Sequence, residues 1–257
     1  MFRHAIVRPP APNFADGLTT VDLGVPDFAL ALAQHEAYCR ALEESGLALT
    51  RLPADPRFPD STFVEDTAVI TAHGSAILTR PGAPSRSGEV VAIEEALASR
   101  FPRLRRIEAP GTVDGGDIDE AGEHFFIGIS RRTNEEGARQ LARLLAADGY
   151  TSSLYDIRGV DEILHLKSGI AWLGDRTLVV IAALASHPAF EGWDLIHVPK
   201  GEEYAANCIL VNGAVFVAEG FPRLERALRG RGYRLVVLAQ SEFQKMDGGL
   251  SCLSLRF

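Results

Sequence analysis

The chain has 257 residues, 46% of them hydrophobic and 23% charged, a balance that supports a large buried core and excludes wholesale disorder. Acidic residues outnumber basic ones 34 to 26, giving a net charge of -8, which argues against a general nucleic-acid binder. The longest uninterrupted apolar run, Leu178 to Ala185, is eight residues, far too short to cross a bilayer.

In chain order, the first expected element is the strand HAIVRP near the start. Phe28, Leu32, His35, Cys39 and Leu42 then share one helical face, and Ser45-Gly46 supplies a stop before the strand LALTRL. A β-hairpin is expected around His73-Gly74, followed by a helix from Glu89 to Phe101. A second hairpin turns near Ala121-Gly122. The next helix opens with Thr133 and Glu136 in capping-box spacing, carries Leu141 and Leu145 on one face, and ends near Gly149. A third hairpin turns at Gly174-Asp175, with no clear long helix between Val160 and Pro199. The fourth turns at Asn212-Gly213, a pair suited to the positive φ angles of a type I′ turn. A helix over Pro222 to Arg229 leads into YRLVVL, and GLSCLSLRF is the last strand.

The hairpins recur after 48, 53 and 38 residues, a loose period that signals a repeat architecture of hairpin, helix and strand. The first and last strands each lack a hairpin partner. Pairing them would close a ring of about five units and remove the exposed edges, as propellers do. No low-complexity linker interrupts the chain, so residues 1–257 are expected to form one catalytic α/β propeller domain.

A polar or charged residue interrupts the first strand of each hairpin: Glu65-Asp66, Asp114 with Asp117, His165, and Asn207. Cys252 holds the comparable place in the last strand. Around a pseudo-axis these positions converge, assembling a nucleophile, a proton carrier and cation-binding acids. Each also has an ordinary structural role open to it. Buried cysteines are usually small hydrophobes, which is the expectation for Cys39 and Cys208. His4, His35, His73, His124, His187 and His197 are assigned to packing or surface.

Six segments in succession, FPDSTFVEDTAVI, PGTVDGGDI, RRTNEEGARQL, ILHLKSG, YAANCILVN and KMDGGLSCLSLRF, resemble the dimethylarginine dimethylaminohydrolases of the guanidino-group-modifying superfamily along almost the whole chain. The resemblance implies a five-bladed pseudo-symmetric α/β propeller of pentein type. It also implies hydrolysis of Nω-methylated arginines to citrulline and a methylamine.

On that resemblance Cys252 is the nucleophile, His165 the general acid/base and Asp114 the acid that orients it, with aspartate standing where some bacterial relatives have glutamate. Glu65 and Asp66 are the acids at the guanidinium. Arg86 and Arg132 match carboxylate-binding arginines, Asp60 the α-amine partner, and Leu18 contributes a backbone carbonyl from a lid loop. Met246 adds a backbone contact near the guanidino group. Asp117 is expected to be a supporting residue and Arg131 a solvated one. Where deiminases and amidinotransferases resemble His-x-Asp or His-x-Glu, this chain reads His165-Leu166-Lys167, which favours a methylated substrate.

The N-terminal MFRHAIVRPPAP lacks the apolar stretch of a secretory signal, and three scattered cysteines make no disulfide framework. A cytoplasmic enzyme of a small-molecule substrate is therefore expected, without metal or organic cofactor, nucleic acid or membrane; a homodimer is compatible. The alternatives are an arginine deiminase-like hydrolase and a non-catalytic ribosome-binding protein of the same fold.

Overall fold

In the computed structural model, which describes residues 1–257, β1 (His4–Val7) is joined through α1 (Phe28–Glu44) to β2 (Ala48–Arg51). The hairpin β3 (Ala68–Ile70) and β4 (Ala76–Leu78) is followed by α2 (Val90–Ala98) and β5 (Leu104–Arg106). The same order recurs in β6 (Ile118–Ala121), β7 (His124–Ile129), α3 (Glu135–Ala147) and β8 (Thr151–Asp156). In β9 (Ile170–Trp172), β10 (Thr177–Val180) and β11 (Asp194–His197) a 3-10 turn at Pro188–Phe190 replaces the helix. The last repeat is β12 (Ile209–Val211), β13 (Ala214–Ala218), α4 (Pro222–Gly230) and β14 (Arg234–Leu238), after which a short α5 (Ser241–Gln244) precedes β15 (Leu255–Arg256).

These strands make five three-stranded sheets of one design, the five blades of an α/β propeller. In each, the middle strand runs antiparallel to its hairpin partner and parallel to the strand that follows the crossover. The fifth blade is built from both ends of the chain: β15 pairs antiparallel with β1, placing Ile6 against Leu255, and β1 pairs parallel with β2. The expected closure between terminal strands is thus present.

Burial explains the strand sequences. The central strands β4 and β13 are buried at every position, as are Leu178, Val179 and Val180 of β10, so their sequences are nearly continuous apolar runs. The outer strands β2, β5 and β14 have no buried position, consistent with the arginines at Arg51, Arg105, Arg106 and Arg234. Asn212 and Gly213 both have positive φ, 46° and 85°, as a type I′ turn requires.

Two helical readings shift. In α1 the buried face is Ala31, Gln34, His35, Tyr38, Cys39, Ala41 and Leu42, while Leu32 is exposed, because Gln34 is hydrogen-bonded to Ser241 and Tyr38 to the buried Ser254. The helix α3 is capped by Asn134, whose side chain accepts from the Gly137 amide. Thr133, read as its cap, is buried and its hydroxyl accepts from the Asp114 amide at 3.0 Å. No helix is long and apolar enough to cross a membrane.

Candidate active site

Each blade's innermost strand is preceded by a 3-10 turn: Val64–Thr67, Gly115–Asp117, Leu166–Ser168, Glu203–Ala206 and Ser251–Leu253. The first packs against both the second and the last, the second against the third, and the third against the fourth. Asn207 closes the ring, accepting from the Ser251 amide at 2.9 Å and donating to the Ser251 hydroxyl at 3.0 Å. The polar interruptions in the hairpin sequences are therefore these turns and their immediate neighbours. A short turn before each strand aims one or two polar side chains inward and still lets the ladder begin.

The second turn depends on two glycines at close approaches to its neighbours. A Cβ on Gly115 would lie 2.0 Å from the Glu65 carbonyl oxygen, and one on Gly116 would lie 2.8 Å from His165 Nδ1. Gly115→Ala is expected to displace the Glu65-Asp66 turn at a cost of about 1–3 kcal/mol or more. The result should be a lower Tm together with reduced turnover, measured on the purified variant.

His165 is buried, and its Nε2 lies 3.1 Å from Asp114 Oδ2. Asp114 is fully buried; its other oxygen accepts from the Gly82 amide at 2.8 Å, fixing the carboxylate in place. Asp66 Oδ1 accepts from the Gly116 amide at 2.8 Å, and its Oδ2 meets Arg86 Nη1 at 2.5 Å. A carboxylate oxygen of Asp66, one of Asp114 and a ring nitrogen of His165 all lie within 4.8 Å of one another. Burial opposes charge on the imidazole, but Asp66, Asp117 and Asp114 outweigh it and push His165 up to about 9. Burial also works against the Asp66 carboxylate, yet Arg86 and then His165 hold it below its ordinary value. At neutral pH the ring is accordingly an imidazolium among acids.

Cys252 is half-buried on the last turn, its amide donating to the Gly249 carbonyl. Burial, reinforced by Glu65 and Asp66, raises its thiol to about 12. In the absence of a bound cation it is a neutral thiol. Alkylation of Cys252 by iodoacetamide is expected to follow a midpoint above the value of about 8.5 of an ordinary cysteine. A Cys252→Ser control would correct for the other thiols. A midpoint below neutrality would show a thiolate formed before substrate arrives.

The remaining expected residues fall into two groups. Asp117, held as a supporting residue, accepts from the Ser130 hydroxyl at 2.6 Å and the Leu166 amide at 3.0 Å, so it anchors the turn that carries His165. Asp60 is buried and accepts from the Leu18 amide at 3.0 Å, which brings this acid and the 17–20 loop together. Thr19 and Thr20 tie the same loop to Lys245 and Asp247. Met246 is buried in the cluster with Phe14, Phe63 and Phe243. Arg132 has a largely buried side chain with Nη1 4.0 Å from Asp114 Oδ2. Arg131 is exposed and lines a cleft of about 400 Å³ that also borders Ser168, Asn207 and Gly249, next to the turns bearing His165 and Cys252.

Two residues are engaged differently from the simple expectation. Arg86 is buried, with Nε and Nη2 donating to Glu89 and Nη2 also to the Phe63 carbonyl at 3.0 Å. Its donors face protein in this arrangement. Glu65 binds Lys167 through Oε1 and accepts from the Ser251 hydroxyl at 2.8 Å through Oε2, so it too is occupied. Lys167, singled out only as the residue that replaces an acid, is thus the partner of Glu65. Glu89 is not among the expected residues, although it stands three residues after Arg86, the spacing of a helical ion pair, and closes the 3-10 helix Pro84–Glu89 that holds both.

No family model matches the chain. The chain is 48% identical over 258 residues to the N(G),N(G)-dimethylarginine dimethylaminohydrolase of Pseudomonas aeruginosa, covering 100% of both. It is 35% identical over 256 residues to the enzyme of that name from Streptomyces coelicolor, covering 99% of this chain and 96% of the other. Among solved structures, a cysteine-to-serine mutant of the Pseudomonas aeruginosa enzyme complexed with citrulline superposes with a TM-score of 0.96 at 47% identity, over 100% of each chain. The chain belongs to the N(G),N(G)-dimethylarginine dimethylaminohydrolase family.

Proposed function

We propose that this protein hydrolyses Nω,Nω-dimethyl-L-arginine, and Nω-monomethyl-L-arginine, to L-citrulline and dimethylamine or methylamine. The observation that carries this reading is the ring of turns, which sets a cysteine and an acid-supported histidine around one buried carboxylate, Asp66, in a chain that matches this family along all of its residues.

The chemistry follows from the charges. A guanidinium is delocalised and protonated to very high pH, so water alone attacks it poorly. On entering a site with Asp66 and Asp114, the cation offsets the negative field that keeps the Cys252 thiol protonated. The thiol gives up its proton to solvent, and the resulting thiolate attacks the guanidino carbon, forming a C–S bond and a tetrahedral adduct as the C=N π pair moves onto nitrogen. His165, already an imidazolium, gives its proton to the departing dimethylamine as the C–N bond breaks. This leaves an S-alkylthiouronium on Cys252 and a neutral imidazole. The imidazole then takes a proton from water as the oxygen attacks the same carbon, and collapse returns the thiolate and releases citrulline. Asp114 holds the ring and supports its charged form.

The amino-acid end of the substrate takes opposite charges. Asp60 and the backbone carbonyl of Leu18 receive the α-amine, with Met246 supplying a backbone contact near the guanidino group. Arg132 and Arg86 receive the carboxylate, with Arg86 exchanging Glu89 for it. That exchange swaps one carboxylate for another, and burial already raises Glu89 to about 7, so it gives up its charge readily. Glu65 acts through Ser251, the neighbour of Cys252, and adds to the negative field at the guanidinium. We take residues 1–257 as one catalytic unit acting on a free small molecule in the cytoplasm, without nucleic acid.

Lys167 bears on the choice of substrate. With its ammonium on Glu65, no second acid follows His165 to grip unsubstituted guanidino nitrogens, which leaves room for methyl groups that cannot donate hydrogen bonds. Supplying asymmetric dimethylarginine and arginine separately, and measuring citrulline with dimethylamine or ammonia, tests the reading. Dimethylamine release at the higher kcat/KM is expected; dominant ammonia release from arginine would reassign the protein as a deiminase.

A further inference from the structure

Behind the ring of turns lies a second chamber of about 520 Å³, a volume typical of small-molecule sites. Most of its lining is apolar, with Ile70, Ile170, Trp172, Leu210 and Phe257 among the walls. Its charged groups are unevenly matched. Its two cationic side chains, Lys167 and Arg256, both face Glu65, and Glu123 adds a further acid at the rim: Lys167 is hydrogen-bonded to Glu65 Oε1 and Arg256 Nη2 lies 3.7 Å from it. Glu120 accepts a single long bond, 3.3 Å, from the Ala72 amide. Asp119 is 8% exposed, and its Oδ2 is sealed from solvent with no hydrogen-bond partner.

An unpartnered buried carboxylate oxygen costs free energy, and native proteins seldom keep one without use. Here it stands in an acidic corner of an otherwise apolar room whose cations are already committed. We propose that this rear chamber is a second small-molecule site, taking an organic ammonium whose charged head meets Asp119 and Glu120 and whose apolar body lies against Trp172 and Leu210. An anion is disfavoured, since it would face Asp119, Glu120 and Glu123 while both cationic side chains are held at Glu65. A neutral molecule would leave the Asp119 oxygen as it is. Burial raises both Asp119 and Glu120 to about 7, so an arriving cation would find acids ready to ionise and would bind more tightly as pH rises through that range.

The chamber is separated from the catalytic chemistry by the Glu65–Lys167 pair, so the two sites can be probed apart. The test is titration calorimetry of the whole protein with benzylamine, protonated at neutral pH, against benzyl alcohol as its uncharged counterpart. Millimolar or tighter binding of benzylamine is expected, weakened about tenfold by Asp119→Asn, which is the loss of one charge contact worth about 1.4 kcal/mol. Asp66→Asn, on the catalytic side, should leave it unchanged. Retained citrulline formation by Asp119→Asn shows that variant to be folded, and Leu210→Trp, which fills the chamber, should abolish binding independently. The proposal is overturned if benzylamine fails to bind, if benzyl alcohol binds as tightly, if both chamber variants bind like the wild type, or if Asp66→Asn removes the binding.

Discussion

Cys252→Ser is expected to lower citrulline formation by roughly 10⁴-fold or more, the scale on which removal of a covalent nucleophile acts. The side chain is half-buried on a 3-10 turn and makes no strong hydrogen bond; its one hydrogen-bond contact, with Ser251 Oγ, is 3.9 Å long. A serine therefore fits without rearrangement, and Tm should be unchanged. The difference lies in ionisation: a hydroxyl is far harder to deprotonate than a thiol, so the arriving guanidinium cannot generate the anion. Cys39→Ser serves as the contrast. Cys39 is fully buried against α1 neighbours, and burial raises its thiol to about 12, so it should keep turnover. Full activity in Cys252→Ser would remove the covalent mechanism.

His165→Gly should reduce kcat by about 10²–10⁴-fold, the usual contribution of a positioned general acid and base. Mass spectrometry should find the Cys252 adduct accumulating if the histidine activates water, because the second half-reaction then stalls. The same variant carries a pH signature. The folded imidazole titrates near 9 against an ordinary value of 6.5, so its raised value stabilises the native state fully below 6.5. That stabilisation is lost as pH climbs through about 9. The wild type minus variant difference in Tm should accordingly shrink between those pH values. A difference that grew with pH would mean the ring is neutral in the native protein.

The fold was legible because the same local grammar repeats. The glycine turns demanded hairpins, the missing partners of the first and last strands demanded closure, and the absent helix between Val160 and Pro199 is absent in the structure. The capping residue of α3 was not legible, because Thr133 and Asn134 are both good caps and only the Asp114 amide decides between them. In the site, the convergence of Asp66, Asp114 and His165 followed from their equivalent places before each turn. What sequence could not give was engagement. Glu65 facing Lys167 arises from packing between blades that joins residues 102 apart, whereas Arg86 facing Glu89 is a local pair three residues apart whose spacing was open to reading but whose burial was not.

The blade that holds Cys252 is also the one assembled from opposite ends of the polypeptide, β15 against β1. A ribosome that has produced everything through β14 has made four complete blades, the histidine and its acids, but neither the sulfur nor the strand that locks the circle. Closing so long a loop carries an entropic cost that the four sequence-local blades avoid. On the proposed mechanism the nucleophilic sulfur therefore lies on the same stretch of chain that closes the ring.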